Sequence, residues 1–257
     1  MKLTITILNF LICLCAFSQQ QPLPLPSKVY CLDSATTVTE GEGNTKFIFN
    51  GSGAILAQHM MNTITLFKGK TITYSSKFPL ERFFIIKNGP LKITLRDSSA
   101  LLDRGSVICV LPGDVVSIEN TGPTDAQFYE MTYRSIQQPD NDRGKKAGGS
   151  FMINWKDILF KPTDKGGTRQ FFDRKTAMLN QFDIHVTQLN QGFKSHDPHT
   201  HTNEEIILMM EGNAEMQIGT SHQKANAGDV VLLGSLVLHN LTNIGKTPCL
   251  YFAIQWN

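Results

Sequence analysis

The 257-residue chain has no excess of charge of either sign: 24 Lys and Arg face 22 Asp and Glu, and no basic block is longer than Lys145-Lys146. A net charge of +2 gives a polyanion nothing to hold, so neither nucleic acid nor an acidic membrane surface is an expected partner. Long stretches of helical periodicity are scarce, which argues against a helical bundle. Apolar runs long enough to notice occur only at the N-terminus. There Lys2 precedes a mostly apolar Leu3 to Phe17, and Ala16-Phe17-Ser18 places small residues before a Gln-rich stretch, the pattern of a secretory signal peptide over residues 1–18 cleaved near Ser18. A run of that length is short for a membrane span, which needs about 20 residues. The expected location is therefore secreted or periplasmic, with no membrane association after cleavage. Cysteine is sparse too: once Cys13 and Cys15 leave with the leader, Cys31, Cys109 and Cys249 remain, enough for at most one internal disulfide.

What the chain does contain is short segments of Val, Ile, Leu, Phe and Thr separated by Gly, Asn, Asp and Pro, the pattern of an all-β protein. Strands are expected over 46–50, 54–58, 62–67, 82–87, 91–96, 107–111, 115–118 and 127–133. Residues 19–45 read as an extended N-terminal extension, 46–135 as one domain, 136–168 as a polar, turn-rich linker and 169–257 as a second domain.

Chemistry concentrates between Gly192 and Gly212, which hold three of the seven histidines. On an extended strand His199 and His201 leave the same face, and Glu205 follows within four residues. That is part of a metal site, and the apolar segment ending at His239 offers a fourth ligand if the chain folds back. Glu204 competes with Glu205 for the carboxylate role. His196 reads as a residue of the site's mouth, His185 as either a barrel-interior or a packing residue, and His59 and His222 as loop or surface positions. Met209, Met210 and Met216 read as core fillers.

The chain also repeats itself. Placing Gly89 over Gly212 superposes, without a gap, Gly69 on Gly192, Glu81 on Glu204, Leu66 on Leu189, Leu56 on Leu179 and Phe49 on Phe172. Downstream, Leu-Pro-Gly-Asp-Val-Val at 111–116 looks like Asn-Ala-Gly-Asp-Val-Val at 226–231, which implies that copy one lacks eight residues around the position of His239. In copy one Ser76, Phe78 and Arg82 stand where His199, His201 and Glu205 stand in copy two. None of these is a transition-metal ligand of the same kind, so the first copy is expected to be a scaffold without the site, at most one in which Arg82 meets an anion.

The second copy resembles a cupin domain. Gly192, six residues, His199-Thr-His201, three residues, Glu205, six residues and Gly212 resemble the first cupin motif, and Ala227-Gly228-Asp229 leading to His239 and Asn243 resembles the second, with Asn226 in place of its proline. The resemblance covers 169–257 and, through the repeat, most of 46–135. It implies a bicupin: two tandem jelly-roll β-barrels, the N-terminal one degenerate, the C-terminal one binding one divalent transition metal (Mn, Fe, Zn or Ni) through His199, His201, Glu205 and His239. The overall layout is similar to that of ureidoglycine aminohydrolases, which implies a hydrolase, isomerase or lyase acting on a small polar metabolite. Other cupins with these ligand types are Fe(II)-dependent dioxygenases or non-catalytic sugar- and metabolite-binding proteins. The expected partner is a small-molecule ligand or substrate, with homo-oligomer formation left open.

Overall fold

A computed structural model describes residues 22–75 and 80–257; the leader, and Ser76 and Phe78 of copy one, lie outside the described residues. The architecture is all-β. The first half contributes β1 (Lys28–Tyr30), β2 (Thr36–Glu40), β3 (Gly43–Gly51), β4 (Leu56–Leu66), β5 (Thr71–Ser75), β6 (Glu81–Asn88), β7 (Leu91–Leu95), β8 (Ser98–Leu102), β9 (Val107–Val110), β10 (Val115–Glu119) and β11 (Ala126–Ser135). The second contributes α1 (Asn141–Lys146), β12 (Phe151–Ile153), β13 (Lys161–Thr163), β14 (Gly166–Arg174), β15 (Phe182–Leu189), β16 (Glu204–Glu211), β17 (Asn213–Ile218), β18 (Ser221–Asn226), β19 (Val230–Leu233), β20 (His239–Asn243) and β21 (Cys249–Trp256). The order β12-β9-β6-β11-β4-β3-β2 forms a seven-stranded sheet over the four-stranded β5-β10-β7-β8, and β1-β19-β16-β21-β15-β14-β13 forms a second over the three-stranded β18-β17-β20. These are two jelly-roll barrels in tandem. Among the described residues no helix is long and apolar enough to cross a membrane.

The registers correct the repeat alignment. Arg82 pairs with Val110 and Thr132, and Glu205 with Leu233 and Gln255, so each partner is displaced by the same 123 residues that separate Arg82 from Glu205. The bulge between Phe47 and Phe49 recurs between Gln170 and Phe172. Glu119 pairs with Lys92 as Thr242 pairs with Glu215, so β10 and β20 are equivalent at the same spacing. No eight residues are missing. The true counterpart of Gly228-Asp229 is Gly105-Ser106, and Val116 stands where His239 does. The Pro-Gly-Asp turn at 112–114 imitated the motif by composition alone.

The expected extension and linker are also more than connectors. β1 joins the edge of the second barrel's sheet on β19, and β12 joins the first barrel's on β9, so each copy lends its leading arm to the other. Each arm runs into a 3₁₀ turn, Leu32–Ser34 or Trp155–Asp157. There Leu32 N–H donates to Asp229 and Trp155 N–H to Ser106. Gly228 and Gly105 lie beneath: both have positive φ, and a Cβ would come within 2.8 Å of Leu32 or 2.4 Å of Trp155.

Glu81 and Glu204 complete the exchange. Glu81 accepts hydrogen bonds from the Ala177 and Met178 amides and the Thr176 hydroxyl of the other barrel; Glu204 accepts from the Ala54 and Ile55 amides and from Trp256 Nε1. Between the barrels lies one shared core that includes Phe49, Phe83, Tyr133, Phe182, Phe252 and Trp256. His59, expected in a loop, is part of that interface. The segments read as 54–58 and 62–67 are one strand, β4, which carries His59 into the interior at 1% exposure, edge-on to Phe49 and Trp256. Cys109 and Cys249 are buried free thiols, and Cys31 is exposed and free.

Candidate metal centre

The two barrels differ in what fills them. In the first, Arg82 projects into the interior, pairs with Glu130, donates to Thr132 Oγ1 and sits 4.9 Å from the centre of the Tyr74 ring. The anion that Arg82 meets is thus the chain's own carboxylate. Ile64, Phe84 and Phe128 fill the space behind it. At the position of Glu130 the second barrel has Ala253, and at the position of Arg82 it has Glu205. A cavity of about 460 Å³ opens there, lined by Glu205, His185, Tyr251 and Ala253 of the sheet, Lys165 of the β13–β14 turn, and His196, His199 and His239.

Glu205 enters from the second position of β16 and is 4% exposed. His239 opens β20 at 3% exposure. His199 and His201 do not lie on a strand as expected: Pro198, which lacks an N–H for the ladder, breaks the chain before them, and His199 keeps only an isolated bridge to His239. The result still brings the four side chains together. His201 Nε2 lies 3.2 Å and His239 Nε2 3.3 Å from the same oxygen, Glu205 Oε2. The His199 ring centre is 5.4 Å from that of His201 and 4.7 Å from that of His239. Glu204 points away into the barrel interface, which leaves the carboxylate role to Glu205.

The tautomers explain why these atoms converge. His201 Nδ1 donates to the Asn203 carbonyl at 2.9 Å and His239 Nδ1 to the Val237 carbonyl at 2.8 Å, so each ring turns Nε2 toward Glu205. In the neutral rings both Nε2 atoms carry lone pairs, and a lone pair facing a carboxylate is repulsive. Only a cation reconciles them, either a proton on an imidazole, which turns the contact into a hydrogen bond, or a metal ion among the three. Burial pushes the Glu205 carboxyl up, but hydrogen bonds with His201, His239 and Gln255 outweigh it and hold the group at about 2. The hydrogen bond to Glu205 raises the His201 imidazole, whereas burial, then the neighbouring imidazoles His196, His239 and His201, lower His199. His201, Glu205 and His239 have ligand atoms within 4.8 Å of one another, and so do His196, His199 and His239. The donor set, nitrogen with one anionic oxygen, suits a divalent transition ion.

Residues 185–255 match the family model of the cupin domain. This segment is a cupin domain. The fold of the chain is similar to that of an oxalate decarboxylase from Lactobacillus farciminis solved with formate (14% identity, 91% of this chain and 87% of the other, TM-score 0.72). It is also similar to AerE from Microcystis aeruginosa (12%, 92% and 98%, 0.66) and to a putative glyoxylate-induced protein from Pseudomonas aeruginosa (16%, 86% and 84%, 0.66). At these identities the likeness is one of fold. No curated protein matches the chain in sequence. The matched residues lie in the second barrel, the one that carries the candidate metal ligands.

Several cupin-cavity residues were not singled out from the sequence. Gln255 donates to Glu205 Oε1 at 3.2 Å and orients the carboxylate. It alternates along β21 with Tyr251 and Ala253, all lining the cavity, while Phe252, Ile254 and Trp256 face the inter-barrel core; this period of two was the available signal. His185 lines the cavity with Nδ1 3.6 Å from Asp183, resolving its two readings in favour of the interior. Met216 is 1% exposed yet also contacts the cavity, whereas Met209 and Met210 belong to the apolar cores. His222 is paired with Glu215 on exposed β18 and stands apart from the site.

Proposed function

We propose that the protein is an exported, metal-dependent cupin enzyme acting on a small polar metabolite, with His199, His201, Glu205 and His239 as ligands of one Mn, Fe, Zn or Ni ion. The observation that carries this reading is the convergence of two Nε2 lone pairs, that of His239 buried and that of His201 half-buried, on one carboxylate oxygen, with both Nδ1 protons already committed to backbone carbonyls. When bound, such an ion polarises a carbonyl or holds a hydroxyl or carboxylate oxygen. The chain's own residues supply the rest. Lys165, whose Nζ donates to the Ser195 carbonyl at 3.2 Å, puts a cation at the cavity wall where a substrate carboxylate would lie. His185, steadied by Asp183, faces the same space and can take or return a proton. A hydrolase, isomerase or lyase acting on a carboxylate-bearing metabolite fits these groups best. The fold similarity to an oxalate decarboxylase holding formate and to a glyoxylate-induced protein agrees with that substrate class. Export rests on the leader pattern in residues 1–18 and predicts a mature N-terminus near Gln19.

Elemental analysis of natively purified protein, followed by incubation with a panel of small carboxylates, tests the reading. It requires about one transition ion per chain in wild type, loss of that ion in His239→Ala, and product formed from a member of the panel. Thermal stabilisation by a carboxylate without product would make the protein a binding module, and substrate-dependent oxygen uptake by the iron-loaded form would make it a dioxygenase. Absence of any stoichiometric ion would refute the proposal.

A further inference from the structure

His196 lies outside the motif that carries the other three histidines, and the fold holds it against them. In copy one, β5 pairs residue for residue with β10. In copy two the equivalent segment pairs at Lys194 with Thr242 and again at His199 with His239, so five steps along one strand span three along the other. The surplus is a bulge at 196–198, pinned on both sides: Ser195 N–H donates to Leu241 O at 2.8 Å, and His199 N–H to His239 O at 3.2 Å. The bulge sets the His196 ring at right angles to His199, with centres 4.0 Å apart, and 5.8 Å from His239. His196 Nδ1 donates to the Asp197 carbonyl at 3.0 Å, which leaves Nε2 as its free lone pair, as in His201 and His239.

From this bulge we infer that His196 is a fifth protein ligand of the same ion, which is then held by four imidazoles and Glu205 with one position open; the inference rests on the metal reading above. His239 belongs to both ligand triads, His196-His199-His239 and His201-Glu205-His239. Its Nδ1 proton is committed to Val237, so its single free lone pair can serve only one ion. Two ions, one per triad, are excluded, and a single ion that takes His199 together with His201, Glu205 and His239 draws both triads onto a common centre. Ligands roughly 2.1 Å from an ion stand about 3 Å apart when adjacent and about 4.2 Å apart when opposite, so the separations within 4.8 Å inside each triad need only a modest contraction, and the two triads close toward each other about His239, which they share. The pinned bulge also means that His199 cannot reach the ion without bringing His196 with it. Four nitrogen donors favour Ni and Zn over Mn, and a single open position admits one substrate oxygen rather than a chelating pair.

The test uses the full chain and the metal alone. Pulsed EPR of the Cu(II)-loaded wild type counts coordinated imidazoles: four are expected, and three would overturn the inference. Zn(II) affinity, measured by competition with a chelator, is expected to fall by about tenfold or more in His196→Ala and His196→Gln, with stoichiometry kept, while His222→Ala binds as wild type does. Unchanged affinity in both His196 variants would overturn it. If a variant does not fold, judged by melting of the metal-free forms, the EPR count on the wild type decides. Failure of the underlying reading looks different, since wild type would then bind no stoichiometric ion and His239→Ala would match it.

Discussion

Replacing His59 with phenylalanine, the residue that copy two carries at the equivalent position 182, should make the protein resistant to acid. His59 is 1% exposed, its Nε2 has no hydrogen-bond partner among the described residues, and its ring lies edge-on to Phe49 and Trp256 at centre distances of 5.0 and 5.1 Å. Burial drives its imidazole from the ordinary 6.5 down to about 3. The folded state therefore keeps His59 neutral, whereas the unfolded chain takes up a proton below pH 6.5. Stability from this group is complete above pH 6.5 and is lost as the pH falls from 6.5 toward 3. Each unit of difference is worth about 1.4 kcal/mol, so at pH 4 the loss is about 3 kcal/mol. For a chain of this size that lowers Tm by roughly 10 °C. Denaturant melts of wild type and His59→Phe, in chelator at pH 8, 6, 5 and 4, isolate the effect because every other titrating group is common to both. A constant offset from the larger ring is expected at pH 8; the gap must then shift in favour of His59→Phe by about 3 kcal/mol on reaching pH 4. Parallel curves across that range would refute the assignment of His59 as a neutral, unpartnered core group.

Arg82→Met should cost about 3–5 kcal/mol of stability by leaving Glu130, 4% exposed, without its counter-charge, and Arg82→Met/Glu130→Leu should recover most of it; a chemical-denaturation cycle measures the coupling. Glu204→Gln retains an acceptor for the Ala54 amide but loses the charge, so a loss of about 1–3 kcal/mol is expected by the same assay. Metal affinity should rise steeply with pH through the imidazole range, because His201, raised by Glu205, must lose its proton to bind; calorimetric titration at pH 6, 7 and 8 should show proton release that diminishes as pH rises.

The candidate site was legible because His199, His201 and Glu205 lie close together in the chain and His239 is the only histidine on the following apolar segment. The all-β architecture was legible from segment length and composition. What escaped was non-local. Nothing in Lys28–Tyr30 or Phe151–Ile153 announces pairing with a strand of the opposite barrel, and β13 with its Lys165 turn reads as linker until Gly166 and Gly167 are seen in register with Leu189 and Gln188. The eight-residue gap arose because Leu111-Pro-Gly-Asp matches a motif in composition, while Asp103-Arg-Gly-Ser matches it only in hydrogen-bond register. The cavity itself depends on one small side chain, Ala253 opposite His185, which carries no signal of its own until the strands are aligned.

The exchanged arms bear on why a barrel without metal ligands persists. A half-length ancestor with this arm would have had to lend it to a second copy of itself, and a closed two-fold dimer is the arrangement that satisfies both edges at once. Joining the copies in one chain turned that reciprocal loan into an internal one. In such a chain the first barrel keeps its place whether or not it carries chemistry, since β19 takes its edge from β1 and the Ala177 and Met178 amides end on Glu81. Neither half has a finished sheet alone, so the two are expected to melt together, and the barrel without the candidate ligands stands as the other half of its neighbour's wall.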